Sequence, residues 1–144
     1  MCGIVGLVQP GLPPIQISPI LQRMSDSVVH RGPDDEGFFV RGGVGLGMRR
    51  LSIIDLFGGK QPIHNEDSSI QTIFNGEIYN YRNLMTTFAS RGHTFYTQSD
   101  TETIVHAYEE YGKKCVRHLH GMYAFGLWDS RQKILLLAVD WFGI

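Results

Sequence analysis

This sequence has few cysteines, almost no net charge and no long apolar run. Each of these features excludes a class of protein. Its two cysteines, Cys2 and Cys115, are too few for a disulfide scaffold, so a reducing compartment is expected. A formal net charge of -1 favours neither nucleic acid nor an anionic membrane surface as a partner. No apolar run approaches membrane-spanning length, and the N-terminal run breaks at Pro10 without a preceding basic stretch, unlike a signal peptide. We therefore expect a cytoplasmic protein that acts on a small molecule.

The spacing of apolar residues predicts one mixed α and β domain over residues 1–144. Period-two and β-branched runs favour strands at residues 4–8, 38–40, 44–48, 51–55, 70–74, 122–128 and 134–138, with hairpins across residues 41–43 and 129–133. The last of these runs has the composition of a strand buried on both faces. The chain stops abruptly after it, so we expect a domain truncated at its C-terminus.

Three segments have the spacing of helices. Residues 20–29 carry apolar side chains near helical spacing, with Ser18 as the expected N-cap and Pro19 in the first turn. Helices are also expected over residues 79–90 and 101–111, with Gly92 and Gly112 as stops. Asp100 stands where the N-cap of the last helix belongs.

Cys2 directly follows the initiator methionine, a position where removal of Met1 leaves a thiol and a free amine on one residue. An α-amine titrates at about pH 7.7 to 8.0, so a useful fraction is neutral near pH 7 and can accept the thiol proton. The nucleophile would then carry its own base. Taken alone, however, a single cysteine is more often an inert small residue.

Five further segments combine glycine with polar and charged residues. They are Met1-Cys2-Gly3-Ile4-Val5-Gly6, His30-Arg31-Gly32-Pro33-Asp34, Arg50-Leu51-Ser52-Ile53-Ile54-Asp55, Asn75-Gly76-Glu77-Ile78-Tyr79-Asn80 and Ser99-Asp100-Thr101-Glu102. In this order they resemble the class II glutamine amidotransferase domain, and the resemblance covers almost the whole chain. It is greatest to the N-terminal domain of glutamine-hydrolysing asparagine synthetases.

The resemblance implies a glutamine site, and each matched residue suits one part of that substrate. Arg50 would pair with the α-carboxylate through its two-pronged guanidinium. Asp100, helped by Glu77, would complement the α-ammonium, which backbone carbonyls of Leu51, Ser52, Ile53 and Ile54 would also bind. Asn75 and Gly76 would form the oxyanion hole, one through a side-chain amide and the other through a backbone N–H.

The same resemblance implies a fold and a reaction. The fold would be α+β, a four-layer αββα sandwich of the N-terminal nucleophile hydrolase type. Cys2 would form a thioester with glutamine, releasing ammonia and then glutamate. A C-terminal synthetase domain, absent from these residues, would use ATP and magnesium to make asparagine from aspartate, and a homodimer is a further expectation. No cofactor is expected in this chain itself.

Alternatives remain at several positions. Arg49 is interpreted as a surface residue, Asn75-Gly76 is also an ordinary turn dipeptide, and the histidines show no ligand spacing, so no metal site is expected. Val139 and Trp141 stand where the family has charged residues. A non-catalytic glutamine-binding or regulatory fragment is therefore one rival, and another class II amidotransferase is a second.

Overall fold

The computed structural model describes residues 2–51 and 59–143, and in these ranges seven strands and three helices are present. Met1, residues 52–58 and Ile144 lie outside the described residues. The elements are β1 (Gly3–Val8), α1 (Pro14–Ser27), β2 (Asp35–Arg41), β3 (Val44–Arg50), β4 (Ile63–His64), β5 (Ile70–Ile78), α2 (Tyr81–Ser90), α3 (Glu102–Tyr111), β6 (Gly121–Asp129) and β7 (Ile134–Val139).

The strands form two antiparallel sheets. The first sheet has the order β1-β3-β2, and the second has the order β4-β5-β6-β7. Strands β2 and β3 form the predicted hairpin, in which Gly42 and Gly43 take positive φ angles of 59° and 84°. The predicted hairpin of β6 and β7 is also confirmed.

An apolar layer lies between the two sheets. Val44, Leu46 and Met48 alternate along β3, as period-two burial requires, and form a cluster with Ile73 of β5 and Trp128 of β6. All five are at most 8% exposed. This contact fixes how the strand ends of one sheet lie over those of the other.

Helices cover the outer face of each sheet. Ile17 and Leu21 of α1 are fully buried, and they lie against the first sheet where Gly45 has no side chain. On the second sheet, α2 and α3 bury Phe88 and Ile104 in a core that includes Phe125. The layers are thus helix, sheet, sheet and helix, which confirms the predicted αββα sandwich. None of the helices in the described ranges is long and apolar enough to cross a membrane.

Two helix starts differ from the predictions. Helix α1 begins at Pro14, with Pro13 as N-cap, so the expected start near Ser18 is wrong. A proline at the first helical position loses no intrahelical hydrogen bond, which explains the earlier start. Helix α3 has Thr101 as its N-cap, without a side-chain cap hydrogen bond, so the capping role predicted for Asp100 is also wrong.

Arg49 is not the surface charge that the sequence suggested. Its guanidinium is 14% exposed and lies 2.7 Å from Asp26 of α1 and 2.9 Å from Glu36 of β2, while Nε donates to Ser25 Oγ at 2.9 Å. One side chain thus connects β3 with a helix and a neighbouring strand. The residue is adjacent to Arg50, and strand alternation sends the two to opposite faces of the sheet.

The last strand is less buried than its composition suggested. Leu136 and Ala138 of β7 pack on the core beneath the helices, but Leu137 and Val139 on the opposite face are 71% and 59% exposed. The prediction of burial on both faces is therefore wrong for β7. Leu135 and Leu137 of β7 border a groove that also includes Ile4 and Leu46.

We predict that Gly45→Ala lowers the free energy of unfolding by about 1 to 3 kcal/mol, the usual range for overpacking. A Cβ at this position would lie 2.8 Å from Ile17 Cγ2 and 3.3 Å from a Leu21 methyl, so α1 would have to move. Gly126→Ala is the matched control, since its Cβ would meet nothing closer than 3.4 Å. Urea unfolding measures both, and equal effects would contradict the close packing of α1 on β3.

Candidate functional site

A cavity of about 170 Å³ opens at one end of the sandwich. Its lining comes from the start of β1, the end of β3, the last part of β5, the beginning of β6 and the segment before α3. The lining residues are Cys2, Arg50, Leu51, Gly59, Gln61, Phe74, Asn75, Gly76, Glu77, Ser99, Asp100, Thr101 and Met122. Seven of these were predicted from the sequence as site residues: Cys2, Arg50, Leu51, Asn75, Gly76, Glu77 and Asp100.

Cys2 is held at the wall of this cavity by its backbone. Its nitrogen donates to Asn75 Oδ1 at 2.7 Å, and its carbonyl oxygen accepts from Arg31 Nε at 3.2 Å. The Sγ atom lies 3.9 Å from the carbonyl oxygen of Leu51, and the residue is partly exposed. A thiol in this position is accessible from the cavity.

Asn75 and Gly76 lie inside β5, paired with Ala124 and Tyr123 of β6, and do not form a turn. The turn interpretation of this dipeptide is therefore wrong. Gly76 has φ at 145°, and a Cβ there would collide with the backbone of Met122 and lie 2.6 Å from Tyr123 Cα. Only glycine can adopt this φ angle and leave room for the backbone of β6. Because Asn75 Oδ1 is bound to the Cys2 nitrogen, its Nδ2 hydrogens are directed elsewhere.

Arg50 ends β3 and is 7% exposed, so its charge is brought into the cavity wall from the sheet rather than from a mobile loop. The preceding loop fits tightly against the same strand. A Cβ on Gly32 would lie 2.6 Å from the Arg50 nitrogen, and the Asp34 N–H donates to the Arg50 carbonyl oxygen at 3.0 Å. The His30-Arg31-Gly32 segment thus places Arg31 on the Cys2 carbonyl.

Asp100 faces the cavity opposite the sheet ends. Its Oδ2 accepts from the Ile78 N–H at 2.8 Å, which connects the segment before α3 to the end of β5. Burial raises the pKa of Asp100, hydrogen bonds from the backbone of Ile78 and Thr101 oppose this, and the Glu77 charge raises the pKa further. A cation in the cavity would relieve the penalty of burying this carboxylate beside Glu77.

Gln61 and Thr101 line the cavity but were not predicted as site residues. Gln61 is 7% exposed, its Oε1 accepts from the Phe74 N–H at 2.6 Å, and its Nε2 lies 3.5 Å from Thr101 Oγ1. A buried glutamine side chain rarely lacks a structural partner. Nothing in its local sequence reveals that partner, which is 13 residues further along the chain.

Ser52, Ile53 and Ile54 were predicted to bind the substrate through backbone carbonyls. They lie outside the described residues, as does Met1, whose removal was predicted. Leu51 is the one member of that group within the described ranges, and it lines the cavity. The other three stay predictions.

Comparison with known proteins decides the family. A family model described as a glutamine amidotransferase domain matches residues 1–144. The chain belongs to this family. It is 42% identical over its whole length to an asparagine synthetase [glutamine-hydrolyzing] 1 and 44% identical to an asparagine synthetase 2, both of Bacillus subtilis, and 42% identical to an asparagine synthetase of Oryza sativa. It covers 23%, 19% and 24% of these relatives, about a fifth to a quarter of their length.

Solved structures agree on the fold of this glutamine amidotransferase domain. The chain is similar to glutamine phosphoribosylpyrophosphate amidotransferase from B. subtilis, with a TM-score of 0.56, 21% identity, and coverage of 88% of this chain and 27% of the other. An allosteric regulatory enzyme of purine biosynthesis matches with a TM-score of 0.57 and 23% identity, over 70% of this chain and 24% of that one. The sandwich is therefore the N-terminal nucleophile type of amidotransferase fold.

We predict that iodoacetamide modifies Cys2 of this amidotransferase domain at least tenfold faster than Cys115. Cys115 is fully buried, and burial raises the pKa of its thiol to about 11, against smaller opposing effects of backbone hydrogen bonds. Cys2 opens onto the cavity. Peptide mapping of the native chain at pH 7.5 measures both rates, and the denatured chain is the control, in which the difference should largely disappear. Preferential modification of Cys115 in the native chain would contradict the assigned accessibility.

Proposed function

We propose that this domain hydrolyses glutamine to glutamate and ammonia with Cys2 as the nucleophile. The observation that supports this most is the placement of Asn75 beside Cys2, with 2.7 Å between the Cys2 nitrogen and Asn75 Oδ1. A nucleophile, an amide donor and charges of both signs line one small cavity. Family membership makes glutamine the substrate to test first.

Glutamine carries an α-carboxylate, an α-ammonium group and a side-chain amide, and the cavity offers a partner for each. Arg50 suits the carboxylate because its planar guanidinium can bind both oxygens. Asp100 and Glu77 suit the ammonium group, whose positive charge would offset the burial of Asp100 beside a second carboxylate. With both charged groups of the α-carbon bound, the side-chain amide at the other end of glutamine would lie toward Cys2.

Removal of Met1 would turn the Cys2 nitrogen into an amine with a lone pair. In its neutral form this amine donates one hydrogen to Asn75 Oδ1, which orients the group, and it accepts the thiol proton. The thiolate attacks the amide carbon, forming a C–S bond and a negative oxygen. The C–N bond then breaks, and ammonia leaves with the proton that the amine returns. Water hydrolyses the thioester to glutamate and restores the thiol.

The negative oxygen of this intermediate needs donors that are already in place. Asn75 Nδ2 and the Gly76 backbone N–H are the groups we assign to it. The hydrogen bond of Asn75 Oδ1 with Cys2 keeps the amide from reversing, and the backbone constraint on Gly76 fixes its N–H direction. Donors held in this way lose no energy to reorganisation during the reaction.

The destination of the ammonia lies beyond these residues. Because relatives that match the whole of this chain are glutamine-hydrolysing asparagine synthetases, we propose asparagine as the product of the whole protein. ATP and magnesium would then serve a synthetase domain. The described cavity does not fit a triphosphate, since it sets two carboxylates against one guanidinium, and no ATP step is assigned to it. Cytoplasmic location and a homodimer stay predictions.

The decisive experiment compares the wild-type chain with Cys2→Ala, after mass analysis of the N-terminus of each. Wild-type chain without Met1 should release ammonia and glutamate in equal amounts. Cys2→Ala should bind glutamine within about threefold of the wild type but hydrolyse none, because the groups that hold the α-carboxylate and the α-ammonium group of glutamine are retained. Hydrolysis of glutamine by Cys2→Ala would exclude Cys2 as the nucleophile. Binding without turnover by processed wild type would favour a regulatory glutamine-binding domain.

We predict opposite kinetic effects for two cavity variants. Asn75→Ala should lower kcat about 100- to 1000-fold with little change in KM, since an oxyanion donor acts on the transition state. Arg50→Lys should chiefly raise KM, because lysine retains the charge but loses the two-pronged contact far from the reacting carbon. Steady-state ammonia release measures both. A higher KM with unchanged kcat in Asn75→Ala would contradict the role assigned to Asn75. A lower kcat with unchanged KM in Arg50→Lys would contradict the role assigned to Arg50.

A further inference from the structure

A second cluster of ionisable side chains lies outside the glutamine cavity. It consists of four residues: His93 follows α2, His106 and Glu109 lie in α3, and Glu66 lies in the turn between β4 and β5. One potential ligand atom from each residue lies within 4.8 Å of the other three. Since three separate segments contribute, local spacing in the sequence could not reveal the cluster.

The nitrogen-to-oxygen distances in this cluster, 3.0 to 3.8 Å, are similar to the ligand-to-ligand distances around one small metal ion, with a different Glu66 oxygen nearest each histidine. His93 Nδ1 lies 3.4 Å from both Glu66 Oε1 and Glu109 Oε2, while His106 Nδ1 lies 3.0 Å from Glu109 Oε2 and 3.8 Å from Glu66 Oε2. Zinc bonds to nitrogen and oxygen are about 2.0 to 2.2 Å long, which gives ligand-to-ligand edges of about 3.4 Å in a tetrahedron. The two Nδ1 atoms therefore face the same space as the two carboxylates.

Three of these four side chains have a second partner that would orient them toward a metal ion. His93 Nε2 lies 3.1 Å from Glu110 Oε1, Glu66 Oε1 accepts from the Thr94 N–H at 3.0 Å, and Glu109 Oε1 accepts from Asn65 Nδ2 at 2.7 Å. Carboxylate or amide support behind each ligand is the usual arrangement at protein metal sites.

The other ring nitrogen of His106, on the side away from Glu109, lacks a hydrogen bond within the described residues. The His106 side chain is fully buried, and this Nε2 atom lies 3.6 Å from Glu102 Oε1. Glu102 itself is fixed by Tyr96 and Thr97. A metal ion on Nδ1 would place the ring hydrogen on Nε2, toward Glu102, and supply the charge that makes this contact favourable.

We propose that Glu66, His93, His106 and Glu109 bind one divalent transition-metal ion of the zinc class. Imidazole nitrogens favour such ions over magnesium or calcium, which prefer oxygen ligands. Two neutral histidines and two carboxylates balance the charge of the ion. Four protein ligands leave no open position, as in structural sites, so the ion would connect α3 with two loops and take no part in the glutamine chemistry.

The ion would also stabilise the segment that delivers Asp100. His93 precedes that segment. His106 lies beside Glu102, whose carboxylate accepts hydrogen bonds from the N–H groups of Tyr96 and Thr97 in the middle of the segment.

A proton on His106 would compete with the metal ion for this site. Burial alone would lower the pKa of His106, but the carboxylates of Glu102 and Glu109 outweigh it and raise this pKa to about 9.

The test is titration of the metal-free chain with Co²⁺ and Zn²⁺ in a Cys2→Ala background, which removes a competing thiol. We expect one ion per chain, a tetrahedral visible spectrum for cobalt without a thiolate band, and a higher thermal midpoint with zinc. Glu66→Gln and His93→Gln should weaken binding at least 100-fold. Glu110→Gln, which removes an outer partner, should weaken it about 10- to 100-fold.

His120→Gln is the matched control, since this histidine is exposed and lies outside the cluster. It should leave affinity and spectrum unchanged. Because Glu66 is 39% exposed, its variant should retain the fold, which near-ultraviolet circular dichroism checks. Absence of stoichiometric binding, or binding that Glu66→Gln and His93→Gln leave unchanged, would overturn the proposal. In the first case the cluster is an ion-pair network in which His106 carries a proton.

Discussion

The contact between the inner faces of the two sheets determines where everything else lies. Leu46 and Met48 of β3 pack with Ile73 and Trp128 of the second sheet, and this layer sets the position of one sheet over the other. The beginning of β1 and the end of β5 then meet at one end of the sandwich. Cys2 and a strand residue 73 positions away come within hydrogen-bond distance there. Burial of apolar surface is the physical cause, since it is the largest favourable contribution to folding and is proportional to the area removed from water.

Around that layer, polar side chains connect elements that apolar packing alone would leave loosely oriented. Arg49 joins β3 to α1 and β2, Asp100 binds the backbone at the end of β5, and Glu102 binds the loop before α3. Each of these charges is held by two or more partners, as burial of a charge requires. The segment before α3 contributes Asp100 and Thr101 to the cavity, and Glu102 at the start of α3 lies 3.6 Å from His106 of the histidine cluster. The same helix start therefore positions residues for both.

Six of the seven predicted strands are confirmed, because period-two burial shows in the local sequence, and so are both hairpins. The predicted strand at residues 51–55 lies almost wholly outside the described residues. Glycine marked the ends of two helices, near Gly92 and at Gly112. Two interpretations of the local sequence are wrong for the same reason. Asn75-Gly76 resembles a turn, but β6 pairs with it and keeps it extended. Arg49 resembles a surface charge until carboxylates from α1 and β2 surround it. In each case a partner distant in the chain overrode the local preference.

By itself, the sequence determined the mixed α and β class and the order of the motifs that resemble the family. That resemblance implied the αββα sandwich and the residues that we propose to bind and cleave glutamine, because it is carried by residue type and order. Tertiary structure alone decided that seven of those residues line one cavity, that Gln61 joins them, and that His93 and His106 face the same two carboxylates. The reason is physical. A side chain's chemistry belongs to the residue, whereas its distance from a group on another element depends on how helices and sheets bury their apolar faces against one another.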